Sequence, residues 1–381
     1  MTIKPIKIKT DFYDTFSCIA DKCSITCCQE WKIEVDEDTL NKWNKLYEDE
    51  EKKTCLSCSV EKKEGFGIIQ LNEEKQCPFL NQEKLCRLVM RHGEEVLSKT
   101  CATFPREIHD FADRKEYSLV ACCPEVVDIL NKQEKIGFLG DTEKVKDDLF
   151  AIRHLLIEIV KDEKFSINKG LMIGYYILLN ILEGGKTKKE YWEEYEDSAV
   201  LEQFAETIDR MEFQHLDTFD ERNELFLDLA ENYRREGIYT RYLEHIAELA
   251  EKYAECYEEE ELLEDLERFE QEISKYNGLF RKYLVSDIFN ECLIPDSDFE
   301  SMVMLFQWIA MEYVMMRHAV FLNWKLGGCQ AIPYEMVRDC IVIQSRMTGY
   351  DEEDIKEYLE NSFQSFIWEW GYLALIVGLE M

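Results

Sequence analysis

Four closely spaced thiols stand near the start of the chain: Cys18, then Cys23, Cys27 and Cys28 within CSITCCQEW. The spacing Cys18-x4-Cys23-x3-Cys27-Cys28 brings three or four sulfurs into one loop, as tetrahedral zinc sites and iron-sulfur clusters require. Further ligands are expected from Cys77 and Cys86 in CPFLNQEKLC, Cys101 in TCATFPRE and Cys123 in CCPE. Pro78 and Pro124 stiffen the chain there and remove a competing N–H donor. An all-thiolate shell favours zinc or iron-sulfur over magnesium or manganese, and spacing does not choose between the first two.

Several other chemistries compete for these thiols. A reducing cytosol disfavours a disulfide framework, so metal binding comes first and disulfides second. The cluster could serve only to fold a small domain. A catalytic thiol at Cys27 or Cys28 needs a basic partner such as His92 or His109. The radical signature C-x3-C-x2-C begins at Cys23 and Cys27 but fails at Glu30. In extended backbone, adjacent side chains point to opposite sides. Cys27 and Cys28 are therefore expected to do different jobs, or two metal sites share the loop. Cys55-x2-Cys58 looks like half a zinc ribbon without its second pair and stays outside the core set.

The elements that must position these thiols are short. KIEVD alternates like a strand, DEDTLNKWNKLYEDE has helical periodicity, GFGIIQLNE reads as a second strand, and GEEVLSKT gives one or two helical turns leading to Cys101. None builds a confident core by itself, so something besides apolar burial must hold this part together. Eleven of the fifteen cysteines precede residue 124. Beyond the polar stretch NKQEKIGFLGDTEK the sequence becomes amphipathic helix, as in DDLFAIRHLLIEIV, YTRYLEHIAELAEKYAECYEEEELLEDLERFEQEISKY and FESMVMLFQWIAMEYVMMRHAVFLNWKL. The Met-rich stretch from Met302 to Met316 reads as core, with a ligand pocket as the other reading. The expected fold is mainly α: a small irregular Cys-rich metal-stapled domain over 1–130, a linker over 131–145 and a large helical domain over 146–381.

The 381 residues are 46% apolar, enough for a sizeable core. Net charge is −34, which excludes nucleic acid as an expected partner because no basic stripe is available for phosphates. Residues 1–130 carry 19 Lys and Arg against 25 Asp and Glu, and the remainder 26 against 54, so the acidity belongs mainly to the helical part. That field suits a lysine-bearing polypeptide, or simply solubility. MTIKPIKIKTDFYDTF lacks the apolar run of a secretory signal, so the expected compartment is cytoplasmic. SFIWEWGYLALIVGLEM carries Glu369 and falls short of the ~20 apolar residues of a membrane span, so it reads as a buried terminal helix and no membrane partner is expected.

FSCIADKCSITCCQEWKIEVDEDT, CPFLNQEKLCRLVMRHGEEVLSKTCATFPRE and YSLVACCPE together resemble the flagellin lysine-N-methylase family over about residues 12–130. More loosely, this part is similar to zinc- or iron-chelating cysteine-cluster domains. The resemblance implies methyl transfer from S-adenosylmethionine to lysine side chains of flagellin, with a Cys-bound iron-sulfur cluster, zinc being the alternative. Carried over position by position, the metal ligands are Cys18, Cys23, Cys27, Cys28, Cys77, Cys86, Cys101 and Cys123. Cys122 falls where the family often has serine, and Cys55 and Cys58 lie in a variable segment. Eight thiols exceed the four that one cubane needs. No G-x-G-x-G after a strand and no Asn-Pro-Pro-Tyr loop is present, so a cofactor pocket is expected between the cysteine region and the helices, near Arg106, Glu107 and Trp31. Arg106 is the cofactor-binding candidate, gripping a carboxylate bidentately or forming a local salt bridge. The competing function is a non-enzymatic zinc- or iron-chelating module with a helical protein-interaction domain.

Overall fold

The computed structural model describes residues 5–46, 59–63, 65–349, 351–363 and 368–380. Its strands are β1 (Ile6–Thr10), β2 (Glu34–Asp36), β3 (Val60–Lys62), β4 (Phe66–Ile69), β5 (Arg106–Asp110), β6 (Arg114–Leu119) and β7 (Phe138–Leu139). The N-terminal part also carries the helices α1 (Glu37–Leu46), α2 (Arg87–His92), α3 (Lys99–Thr103) and α4 (Pro124–Lys132). Then follow α5 (Asp148–Lys161), α6 (Ile167–Gly184), α7 (Ser198–Asp209), α8 (His215–Glu236), α9 (Thr240–Glu255), α10 (Glu259–Ile273), α11 (Asn277–Glu291), α12 (Phe299–Leu326), α13 (Tyr334–Thr348), α14 (Glu352–Phe363) and α15 (Trp370–Val377).

The cysteine region has a small core of its own. Strands β2, β4 and β3 form an antiparallel sheet in that order. Trp43 of α1 is buried against it with Ile33, Val35, Val60 and Ile69, and its indole N–H donates to the Val96 carbonyl at 2.7 Å. Asp36 fastens two helix starts at once, accepting from Thr39 N and from Lys99 N, each at 3.0 Å. This side-chain capping supplies acceptors for otherwise orphaned N–H groups, and it fixes α3, which carries Cys101.

A second sheet joins this region to the helices. Its order is β5-β6-β1-β7, with β1 parallel to β6 (Ile6 opposite Arg114) and β7 antiparallel to β1 (Thr10 opposite Phe138). The stretch 131–145, read as a linker from its polarity, thus supplies an edge strand of this sheet. Phe138 packs on Phe289 of α11 with ring centroids 4.6 Å apart. Below the sheet the buried Glu116 carboxylate lies between Arg114, at 2.5 Å, and Arg153 of α5, at 2.8 Å. Arg153 also donates to the Phe289 carbonyl at 2.7 Å. The buried charge is paired, as it must be away from water.

Helix α12 is the axis of the helical body and is buried on nearly every side from Met302 to Leu322. The Met-rich stretch is therefore core. The long acidic run expected as one helix is broken in two, because Cys256 adopts an extended conformation and Glu259–Glu261 form the first turn of α10, where their charge meets the positive helix end. Helix α15 is short and buried through Leu373, Ala374, Ile376 and Val377. Among the described residues no helix is long and apolar enough to cross a membrane.

Helices α6 and α12 approach most closely at Gly174, where an added Cβ would lie 2.8 Å from Phe306 Cζ and 3.2 Å from Leu156 Cδ2. Gly174→Ala is expected to destabilise by about 1–2 kcal/mol, the cost of overpacking outweighing the gain in helix propensity. Urea unfolding at neutral pH reads this directly.

Candidate functional site

The described thiols are free, without disulfides, and fall into two groups. Cys28, Cys77, Cys86 and Cys101 pack on the small core. Cys77 N donates to the Cys28 carbonyl at 2.8 Å, and a tight turn through Pro78 and Phe79 brings Leu80 N to the Cys77 carbonyl at 2.9 Å. Cys86 precedes α2, and Cys101 sits in the first turn of α3, where Ser98 Oγ accepts from its N–H at 3.1 Å. Burial pushes the Cys77 thiol up to about 12, and the neighbouring Cys28, Cys101 and Cys86 add to the shift. Cys101 is raised to about 11 by burial, then by Cys28 and Cys86. These four thiols thus line one small core.

The second group gathers about Cys123, which belongs to the large core. Cys123 precedes α4, with the N–H groups of Val126 and Glu125 turned toward its sulfur, and it feels Cys23, which in turn feels Cys18. Cys27 stands beside the first group: it hydrogen-bonds Cys28, which raises the Cys27 thiol and lowers that of Cys28. The two sulfurs do not point apart as expected. Residues 27 and 28 lie in a turn, with Gln29 N bonded to the Thr26 carbonyl at 3.3 Å, so the extended-strand rule does not apply. Among the described residues no three His, Cys, Asp or Glu side chains converge on a single ion position. Cys55 and Cys58 lie outside the described residues.

Arg346 of α13, which the sequence reading did not single out, holds this loop to the helical body. Its guanidinium donates to the carbonyls of Cys122 (3.0 Å), Ile25 (2.9 Å) and Thr26 (3.3 Å) and lies 4.8 Å from the centre of the Trp31 ring. Trp31 meets Phe104 edge to face at 4.9 Å. Trp31 is thus placed at the joint between the two regions, where the cofactor pocket was expected. Arg106 donates to the Phe16 carbonyl at 3.2 Å and lies over the rings of Phe16 and Tyr13. It has no carboxylate partner among the described residues. His109 stands beside Glu107, at 3.9 Å, and Phe111.

On the other side of the joint lies a group of carboxylates. Tyr283, Asp287 and Glu291 occupy successive turns of one face of α11, and Glu312 reaches them from α12. The Tyr283 hydroxyl lies 3.1 Å from Asp287 Oδ2 and 3.5 Å from Glu312 Oε2. Asn290, itself bonded by Ser118 of β6, donates to Glu291. Burial raises Asp287 to about 6 and Glu291 to about 8, with Asp287 and Glu107 of β5 adding to the latter. Glu312 is pushed well up by burial and then by Asp287, with which it shares a hydrogen bond. No Lys, Arg or His forms an ion pair with these three acids among the described residues, in contrast to Glu116. Asp287 and Glu291 remain half-buried, so solvent reaches them. Carboxylates raised by burial and lacking a cation make this group a functional-site candidate.

A thiol-rich cap locked onto a helical body, with unpaired carboxylates at the joint, defines a class of two-part protein. Comparison with known proteins identifies which: the family model described as the FliB lysine N-methylase C-terminal domain matches residues 153–376, and the chain belongs to the lysine N-methylase family. Asp287, Glu291, Glu312 and Arg346 all lie within the matched residues. The flagellar biosynthetic protein FliU of Salmonella muenchen is 34% identical over 136 residues, covering 34% of this chain and 79% of that protein. The lysine-N-methylases of Salmonella typhimurium and Salmonella choleraesuis are each 33% identical over 137 residues, covering 34% of this chain and 34% of their own length. The matched part of the chain thus spans about a third of those two relatives. No solved structure matches.

Proposed function

We propose that the protein is an S-adenosylmethionine-dependent lysine N-methyltransferase acting on flagellin, with an iron-sulfur cluster held by Cys28, Cys77, Cys86 and Cys101. Family membership supports lysine methylation, and the name of the relative FliU supports a flagellar substrate. The observation that carries the reading is the unpaired set Asp287, Glu291 and Glu312.

These acids lack the cation that would relieve their mutual repulsion, and the ammonium of a substrate lysine is such a cation. Its arrival favours ionised carboxylates, while the surrounding apolar walls favour the neutral amine. A carboxylate poised near neutrality takes the ammonium proton and frees the nitrogen lone pair. When bound, S-adenosylmethionine supplies an activated methyl group: the N–C bond forms, the S–C bond breaks, and S-adenosylhomocysteine leaves. Tyr283 and Asn290 hold the acids in place.

The chemistry of four thiols on one small core supports a cluster, thiolates being its usual ligands. They come from separate short segments around one small core, and a cluster of several metal atoms spreads its thiolates more widely than a single ion does. Bound there, it would cross-link the segments and add stability that the small core lacks. Cys28→Ser and Cys101→Ser are expected to lose most bound iron and visible absorption, and Cys18→Ser and Cys122→Ser to keep them, as read by iron analysis and spectra of anaerobically reconstituted protein. A colourless protein with one zinc per chain would replace the cluster by zinc.

Flagellin incubated with the reconstituted chain and labelled S-adenosylmethionine should yield methylated lysines by mass spectrometry. Metal-loaded protein that binds flagellin without transferring label would mark a chelating module with a helical interaction domain instead.

A further inference from the structure

Lined by none of the three carboxylates, a cavity of 220 Å³ opens between α9, α12 and α13. Leu243, Ile246, Ala319 and Ile343 form its apolar walls, with Tyr242 and Met336 also lining it. Its polar floor is unusual. Gln344 is 1% exposed, and its Oε1 has no hydrogen-bond partner among the described residues. The neighbouring Asn323 is by contrast committed, donating to the Ala319 carbonyl at 2.9 Å and facing His245 Nε2 at 3.0 Å. A buried carbonyl oxygen without a donor costs free energy unless something else satisfies it.

The shape of the missing partner follows from the carboxamide. Its unpartnered oxygen calls for a donor such as the amino group of adenine, and the N–H beside it can meet the adjacent ring nitrogen. Apolar walls with an aromatic ring suit a flat heterocycle. Asp339, also lining the cavity, is held by Arg338 through Oδ1 at 2.8 Å, which leaves Oδ2 for a ribose diol, as acidic residues do in nucleotide-binding folds. We infer that this cavity is a binding site for adenosine, carried either by an S-adenosyl compound or by a free adenine nucleoside. The site stands independently of the methyl-transfer reading. Helix α13 nevertheless links them, because it turns Gln344 into the cavity, Thr348 toward Glu312 and Arg346 toward the cysteine loop.

Calorimetric titration of the full chain with adenosine, inosine and S-adenosylhomocysteine tests the site. Adenosine should bind at least about tenfold more tightly than inosine, whose carbonyl replaces the amino group. Gln344→Leu should lose about tenfold in adenosine affinity and erase that preference. Met336→Trp, which fills the cavity from its half-buried edge, should block binding without disturbing Gln344. Both variants are first checked for native helix content. Competition by S-adenosylhomocysteine, with both ligands lost in both variants, assigns the cavity to an S-adenosyl compound. S-adenosylhomocysteine binding that survives in both variants while adenosine is lost assigns it to a free nucleoside. Folded wild-type chain that does not bind adenosine, or variants that bind it as wild type does, overturn the inference. Adenosine binding without any lysine methylation would leave this site standing and remove the proposed function alone.

Discussion

Glu291→Gln is expected to lower methyl transfer by about 10²-fold or more while making the folded chain more stable at alkaline pH. The glutamine keeps the shape of the side chain and its bond with Asn290 but can neither carry charge nor accept the lysine proton. In the folded protein Glu291 is raised from its ordinary 4.5 to about 8 by burial, then by Asp287 and Glu107. Between those two values the folded state holds a proton that the unfolded state has released. Stability therefore falls as pH rises through this window, and the full penalty applies above pH 8. Removing the carboxylate removes the penalty. The variant should gain on the order of 2 kcal/mol at pH 8.5, well under the roughly 5 kcal/mol that ~1.4 kcal/mol per unit allows for a rise from 4.5 to about 8, because Glu291 is only half-buried, and nothing at pH 4. Urea titrations at both pH values, beside product mass spectra, check the pair of effects. A variant with full activity would remove Glu291 from the reaction, and one whose stability gain does not depend on pH would show that the carboxylate is not strained. Gained stability with lost activity is the usual signature of a functional group kept at the expense of the fold.

The same residue shows how far the sequence could be read. Within YLVSDIFNE, Tyr283, Asp287 and Glu291 recur at every fourth position, a visible sign that they share a face, with Ser286 and Asn290 on the position before each acid. Glu312, the one acid between Met302 and Leu326 of α12, is a similar sign. What could not be read is that α11 and α12 bring these signs together, because helix packing is set by side-chain shape and not by periodicity. The cysteine region shows the same division. Its strands, its α1 helix and its thiols are local and legible, although Cys27 and Cys28 stand in a turn and not in the extended backbone assumed for them. The sorting of thiols between two cores depends on the parallel pairing of β1 with β6, about a hundred residues apart, and on β7, whose polar surroundings concealed an edge strand. The mainly helical character of the chain rested on repeated amphipathic periods and needed no such long-range information.

Arg346 is the long-range contact with the largest expected consequence, and Arg346→Met should separate the cap from the body. In the native chain one guanidinium satisfies three carbonyls from two loops, those of Ile25 and Thr26 and that of Cys122, and covers Trp31. Methionine fills most of the volume but donates nothing. The Cys122 carbonyl loses its partner, the Ile25 and Thr26 carbonyls are left with the Cys23 thiol and the Gln29 N–H, at about 1 kcal/mol for each bond lost, and the ring loses a cation–π contact. A loss of at least ~3 kcal/mol is therefore expected. Arg346→Lys should fall between, since a single ammonium cannot span the same fork of acceptors. Because β5 carries Glu107 against Glu291 from the cap side, loosening the joint should also disturb the carboxylate group. Activity should drop at least tenfold even where the helical body remains folded, as a displaced positioning group costs rate without touching the reacting atoms. Urea unfolding followed by Trp31-sensitive fluorescence and by circular dichroism should show the cap transition preceding that of the helices. Coincident transitions at the wild-type midpoint with unchanged activity would mean that Trp31, Phe104 and the sheet hold the joint without the arginine.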